Sequence, residues 1–218
     1  MGEVIAEVLP LAIGIAASPF PIIPVTLLLF TARPLAASGA FLAGWVLGIG
    51  AATAAFIGLA NLVQAFDEPP SWASWARIAL GAVLVVWGGR QWLTRHGSDE
   101  VPAWMESIEG STPAQAARLA LLLSVANPKI VLLAAAAGLA IGAAELSTSA
   151  TVGAAAVFTG LAATTVALPV LLYALLGARM LPPLASARDW LRANNAAVMA
   201  VVILVIGALL VARGITGL

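Results

Sequence analysis

Cysteine is absent from the 218 residues, charged residues make up only 9%, and histidine occurs once, at His96. The first absence excludes disulfide staples, thiol redox chemistry and thiolate metal sites. The second excludes a water-soluble domain, because soluble chains carry about 25% charged residues, whereas this one is 62% hydrophobic with a mean hydropathy of +1.05. A formal net charge of +0 provides no field for a polyanion, so nucleic acid is not an expected partner. One loop histidine cannot serve a buried nucleophile, and nothing else supports hydrolysis. No enzyme activity and no cofactor are expected. The acidic residues Glu3, Glu7, Asp67, Glu68, Asp99, Glu100, Glu106, Glu109, Glu145 and Asp189 all fall near the ends of apolar runs or between them. That disfavours a divalent-metal path and a carboxylate proton relay. A nucleotide-binding motif is missing too.

What the chain does have is long apolar runs. Crossing a hydrocarbon core of about 30 Å takes about 20 helical residues, and helices satisfy their own backbone in lipid. Six spans are predicted, at Leu9 to Phe30, Ala37 to Leu62, Trp75 to Leu93, Leu119 to Ala143, Ala150 to Leu176 and Ala196 to Ala212. The third is short and spans only if Arg77 and Arg90 extend toward opposite interfaces. The amino terminus carries Glu3 and Glu7 instead of a basic leader, so the first run is expected to remain as a span and not to be cleaved. Arg33, Arg90, Arg95, Arg118, Arg179, Arg188 and Arg192 collect on one side, against Arg77 and Arg213 on the other. The excess of Lys and Arg in cytoplasmic loops then puts both termini outside the cell. Residues 98–112 are a cytoplasmic loop or a short surface helix, in which Trp104, Met105 and Ile108 dip into the interface.

SPFPIIP in the first span and ANPKI in the fourth each fall near mid-span. Proline removes a backbone donor and clashes with the preceding turn, so Pro19, Pro21 and Pro24 are expected to unwind the first span, and Pro128 the fourth. Similar text in the third helix of each half, GAVLVV and GALLVA, points to a duplicated three-helix unit. An odd number of helices inverts the second copy. The expectation is an all-α membrane protein, a single domain 1–218, built as two inverted three-helix repeats (1–97 and 113–218) with broken first helices. In secondary transporters, matched breaks of this kind mark a midplane binding site. New half-helices starting after Pro24 and at Pro128 would turn their positive ends toward it. Lys129 adds a full charge. It is too far from either interface to snorkel, and a mid-helix lysine costs about 2.5–3.5 kcal/mol on insertion scales, so it is expected to face a polar cavity or a partner. Capping carbonyls freed by the first break is its structural alternative. Asn127 and Ser18 either line the cavity or satisfy unwound backbone. The candidate substrate-binding set is Lys129, Asn127, Pro128, Ser18, Pro19, Pro21, Pro24 and Thr26, suited to a carboxylate, phosphate or sulfate group. Thr53, Asn61, Thr159, Thr164 and Thr165 are expected as helix-to-helix hydrogen bonders, and GWVLGIG as a close-packing segment.

SPFPIIP followed by FLAGWVLGI, then ANPK, LPVLLY and LRANNAAVMAVVILVIGALL, resemble the glycopeptidolipid-addressing and sulfolipid-addressing (GAP, Sap) proteins of actinobacteria over nearly the whole chain. The Pro-broken first helix and NPK-type fourth helix are similar to the wider lysine-exporter (LysE) superfamily. The resemblance implies a six-helix inner-membrane protein associated with export of cell-envelope lipids, with Ser18, Pro19, Pro21, Asn127, Pro128 and Lys129 in its two motifs. The expected activity is export or flipping of a membrane lipid or other anionic amphiphile. A small-metabolite exporter of amino-acid type is the alternative within transport, and a non-transporting partner of a lipid-export machinery the alternative outside it. The chain is expected to act alone, as a homodimer or within such a machinery.

Overall fold

A computed structural model describes residues 1–18, 20–64 and 110–187, with isolated positions between 79 and 93, at 108, and between 189 and 211. Among them are seven α-helices and no strand: α1 (Gly2–Ala16), α2 (Ile22–Leu28), α3 (Pro34–Gln64), α4 (Pro113–Val125), α5 (Pro128–Gly142), α6 (Thr148–Ala162) and α7 (Thr164–Leu176). Helix α7 passes through a 3₁₀ turn at Gly177–Met180 and runs on to Ala187. Apart from isolated positions the third and sixth predicted spans lie outside the described residues, as do Pro19, His96 and all of 98–107.

Pro34–Leu62 and Thr164–Ala187 are long and apolar enough to cross a membrane, and α4 with α5 makes a third span if that pair, bent by 69°, is counted as one. Exposed Leu122, Leu168, Leu171 and Leu175 need lipid or another apolar neighbour around them. The chain is a membrane protein of apolar helices. Of the two single-helix spans, the first is 39% buried and the second 17%, which makes α3 the interior pillar and α7 peripheral.

Sequence explains most of the helix starts. Thr112 closes a capping box on α4: its hydroxyl accepts from the Gln115 N–H at 3.3 Å, and its own N–H donates to the Gln115 side chain at 2.8 Å. Pro113 supplies the first turn, where no donor is missed. Ser147 caps α6, accepting from the Ala150 N–H at 3.4 Å. Ile108, expected at the interface, is instead buried in the main core.

Two boundaries depart from expectation. The second half of the first span begins at Ile22 and not after Pro24, which sits in the first turn of α2. The first N–H groups of a helix have no intrahelical acceptor, so proline is harmless there. The run Ala150 to Leu176, expected as one span, is interrupted at Ala163 (φ −89°, ψ −4°). The Thr164 hydroxyl donates to the Leu161 carbonyl at 2.7 Å, a local bond that competes with the helix ladder. For the same reason Thr53, expected to bond a neighbouring helix, donates to Ile49 of its own at 2.9 Å.

α3 touches both halves of the bent pair, α2, α6 and α7, whereas α1 packs on α5, α6 and α7. Two glycine pairs set the closest approaches. A Cβ on Gly44 would overlap the Ala117 carbonyl, and one on Gly48 the Ser124 side chain. Higher up, a Cβ on Gly138 would come within 2.6 Å of the Thr53 carbonyl oxygen and one on Gly142 within 2.5 Å of the Ala60 Cβ. Small-xxx-small pairs let helix backbones approach this way, so the close packing expected of GWVLGIG is present at its first two glycines.

These contacts also give directions. α4 and α5 rise along α3. Asn61, Gly142, Glu145, Thr148, Thr151 and Val152 share a cleft of about 280 Å³ at its upper end, where the turn is completed by Glu145 in the left-handed region (φ 46°). A Cβ on Gly153 would meet the end of the Met1 side chain at 2.9 Å, so α1 starts at that same end and descends. The two interrupted helices therefore run in opposite senses.

Candidate functional site

The first break follows from its residues. Helix α1 ends at Ala16, with the Ala17 N–H donating to the Ile13 carbonyl at 2.7 Å and the Ser18 N–H to Ile15 at 3.0 Å. Ser18 is fully buried. Pro21 starts α2 as its N-cap, with no side-chain cap bond. Buried Thr26 donates its hydroxyl to the Ile22 and Ile23 carbonyls at 2.8 and 2.9 Å. Its proton is therefore committed to its own helix, and only its lone pairs remain for a ligand. Pro21 and Pro24 are buried and shape the break without offering a donor.

The second break has a tighter logic. The Ala126 N–H donates to Leu122 at 2.8 Å, closing α4. Asn127 is extended (φ −84°, ψ 111°), and its side-chain oxygen accepts from the Lys129 N–H at 3.0 Å. Pro128 takes the first helical position. Asn, Pro and Lys thus serve as N-cap, first and second residues of α5, an order that follows helix-start preferences. Of the two roles left open for Asn127, the cap is present. Lys129 is 3% exposed, while Val125, Ala126 and Pro128 beside it are exposed. The corner of the break therefore reaches the outside of the bundle, and the lysine points inward. A cation in the first turn of a helix lies at the wrong end of the macrodipole, so lysine and helix end add two positive contributions at one place.

Levels along α3 relate these features. Gly138 lies against Thr53 and Gly142 against Ile57 and Ala60, so α5 runs alongside α3. Ser124 lies against Gly48, so Lys129, which comes between Ser124 and Gly138 on the rising pair, falls between the levels of Gly48 and Thr53. α2 and α3 form a hairpin through residues 29–33. Counting back equal rises from that turn, Ala17, Ser18 and Pro21 fall beside Phe41 to Trp45. Both breaks fall along α3 between Phe41 and Thr53. Among the described residues Ser18, Pro21, Pro24, Thr26 and Lys129 are buried, Asn127 is half-buried and Pro128 is exposed.

One residue in this zone gave no warning in the sequence. Trp45 is completely buried, stacked on Phe41 at 6.4 Å between centroids, and its indole nitrogen has no hydrogen-bond partner. Leaving such a donor unsatisfied costs about 1–3 kcal/mol. Its place in GWVLGIG suggested packing alone.

No curated protein and no solved structure matches the chain. A family model described as Sap, sulfolipid-1-addressing protein, matches residues 8–216. With nearly its whole length covered, and with two opposed interrupted helices where the SPFPIIP and ANPK motifs stand, this chain belongs to the sulfolipid-1-addressing protein family.

Proposed function

We propose that the protein is an exporter or flippase of an anionic amphiphile, a cell-envelope lipid among them, whose head group passes between the two interrupted helices at mid-bundle. The observation that carries this reading is Lys129, buried in the first turn of α5 at the bend of the α4–α5 pair. A buried cation at a positive helix end favours an anion there. The exposed corner at Val125, Ala126 and Pro128 favours a substrate entering sideways from lipid over a small soluble metabolite. Ser18 and Thr26, buried at the first break, line the opposite side. The opposed senses of the two broken helices support an inverted duplication of three helices per unit, with both termini extracytoplasmic.

Lys129→Gln tests the reading. In proteoliposomes holding only this protein, translocation of a short-chain fluorescent phosphatidylglycerol should fall at least tenfold, with unchanged protein incorporated. Unchanged translocation would remove Lys129 from the mechanism. No translocation by the unaltered protein would favour a non-transporting partner of a larger machinery.

A further inference from the structure

The cleft at the upper end of α3 takes no part in the proposed transport site. Lys129 stands in the first turn of α5, and Gly142, which lines the cleft, is its last residue. Three elements wall the cleft. Asn61 belongs to the last turn of α3, Gly142 ends α5, Glu145 forms the turn, and Thr148, Thr151 and Val152 belong to the first turns of α6, around a space of about 280 Å³. The charge of this lining has one sign. Glu145 brings a carboxylate, and α3 and α5 finish there at Gln64 and Gly142, so two negative helix ends lie beside the same space. α6 starts there, but its Ser147 oxygen already accepts the Ala150 N–H at 3.4 Å. The Thr151 hydroxyl gives its proton to the Ser147 carbonyl at 3.2 Å, which leaves lone pairs, and the Asn61 side-chain oxygen is a further acceptor. Glu145 stands at φ 46°, where helices commonly stop on glycine, and strained residues of this kind gather at ligand clamps. Divalent cations take six or more oxygens, commonly from several carboxylates; one carboxylate among neutral acceptors matches a single positive charge. The space exceeds what a bare ion fills, since one water occupies about 30 Å³, and exposed Val152 gives it an apolar rim.

We infer that this cleft binds a primary ammonium group, with the Glu145 carboxylate as its counter-charge, Asn61 and Thr151 as the other acceptors for its three donors, and Val152 against its alkyl stem. An ethanolamine lipid head group at the membrane surface and a small soluble amine share that chemistry. The inference stands apart from the export reading, because no residue of the Lys129 site lines the cleft.

The test uses the full chain in nanodiscs of phosphatidylcholine and phosphatidylglycerol, which carry no primary amine. The chain has no cysteine, so a polarity-sensitive dye on Ala143→Cys, an exposed position beside Gly142, reports on the cleft from its edge. Ethylammonium should change the emission saturably, and tetramethylammonium, which has the charge but no N–H, should not. Glu145→Gln should weaken ethylammonium binding by about tenfold, the size of one lost hydrogen bond to a charged group. Glu145→Gly should remove binding and melt no lower, because glycine suits φ 46°, which separates the site from folding. Displacement of ethylammonium by phosphatidylethanolamine added to the nanodiscs would identify a lipid source, and displacement by glycerophosphoethanolamine in water alone a soluble one. An equal response to sodium chloride or to tetramethylammonium, no saturable response, or full binding by Glu145→Gln would overturn the assignment.

Discussion

At the scale of single residues, Asn127 and Lys129 pull in different directions, and a substitution separates them. Asn127 stabilises α5 by accepting the Lys129 N–H, so Asn127→Ala should lower stability by about 1 kcal/mol, the usual loss of an N-cap. Asn127→Asp keeps the cap and adds an anion at a positive helix end, worth roughly another 0.3–1 kcal/mol. It should melt at the same or a higher temperature. The new carboxylate also lies two residues from Lys129 and competes with the substrate, so translocation should fall at least tenfold. Thermal unfolding and the proteoliposome assay read the two effects separately, and a fully active Asp variant would mean that charge at this corner is irrelevant. The lysine itself was legible from sequence, because a cation eleven residues beyond Arg118 and sixteen before Glu145 has no easy route to either interface. Trp45 was not, since burial decides whether an indole nitrogen finds a partner, and burial is a tertiary property.

Among the helices, glycines carry the argument. The space at Gly138 is bounded by the Thr53 carbonyl and the Phe56 Cβ, at 2.6 and 2.7 Å from a Cβ built there, and backbone cannot step aside as a flexible side chain can. Gly138→Val should therefore cost about 1–3 kcal/mol through overpacking. Gly58, on the same α3, meets nothing within 4 Å, and Gly58→Ala should be neutral or gain up to about 1 kcal/mol from helix propensity. Comparing the two melting temperatures checks the crossing, and equal effects would contradict it. The breaks at Pro21 and Asn127–Pro128 were readable from the chemistry of proline and of helix caps. The interruption at Ala163 was not: its alanine and threonine neighbours carry no strong breaker, and the decisive bond from Thr164 to Leu161 belongs to one of several rotamers open to any helical threonine. The start of α2 was misjudged by three residues because Pro24 looks like a breaker in sequence and is compatible with a first turn in structure.

At the scale of the whole molecule, the ends differ in charge among the described residues. Exposed Arg33 and Arg118 lie toward the end where α3 and α4 begin, and exposed Glu3 and Glu145 toward the end where α1 begins and α5 finishes. Cytoplasmic loops of membrane proteins carry the excess of Lys and Arg, so the proposed orientation puts Arg33 and Arg118 inside and Glu3 and Glu145 outside. A chain without cysteine makes the test direct. With a membrane-impermeant maleimide on intact cells, Ala143→Cys should be labelled several-fold more than Ala32→Cys or Ala114→Cys, all three positions being exposed. The reverse pattern would invert the protein in the membrane. Family membership and the apolar helices were both readable before any coordinates, as was the pairing of two interrupted spans. How those spans meet was not, because it depends on which faces of α3 they share.

That sharing has a mechanical consequence. The lower arm of the bent pair lies on Gly44 and Gly48, and the upper arm presents its own Gly138 and Gly142 to the same rod. No side chain projects from these four positions, so in the proposed exporter α3 would act as the fixed axle on which the two arms turn.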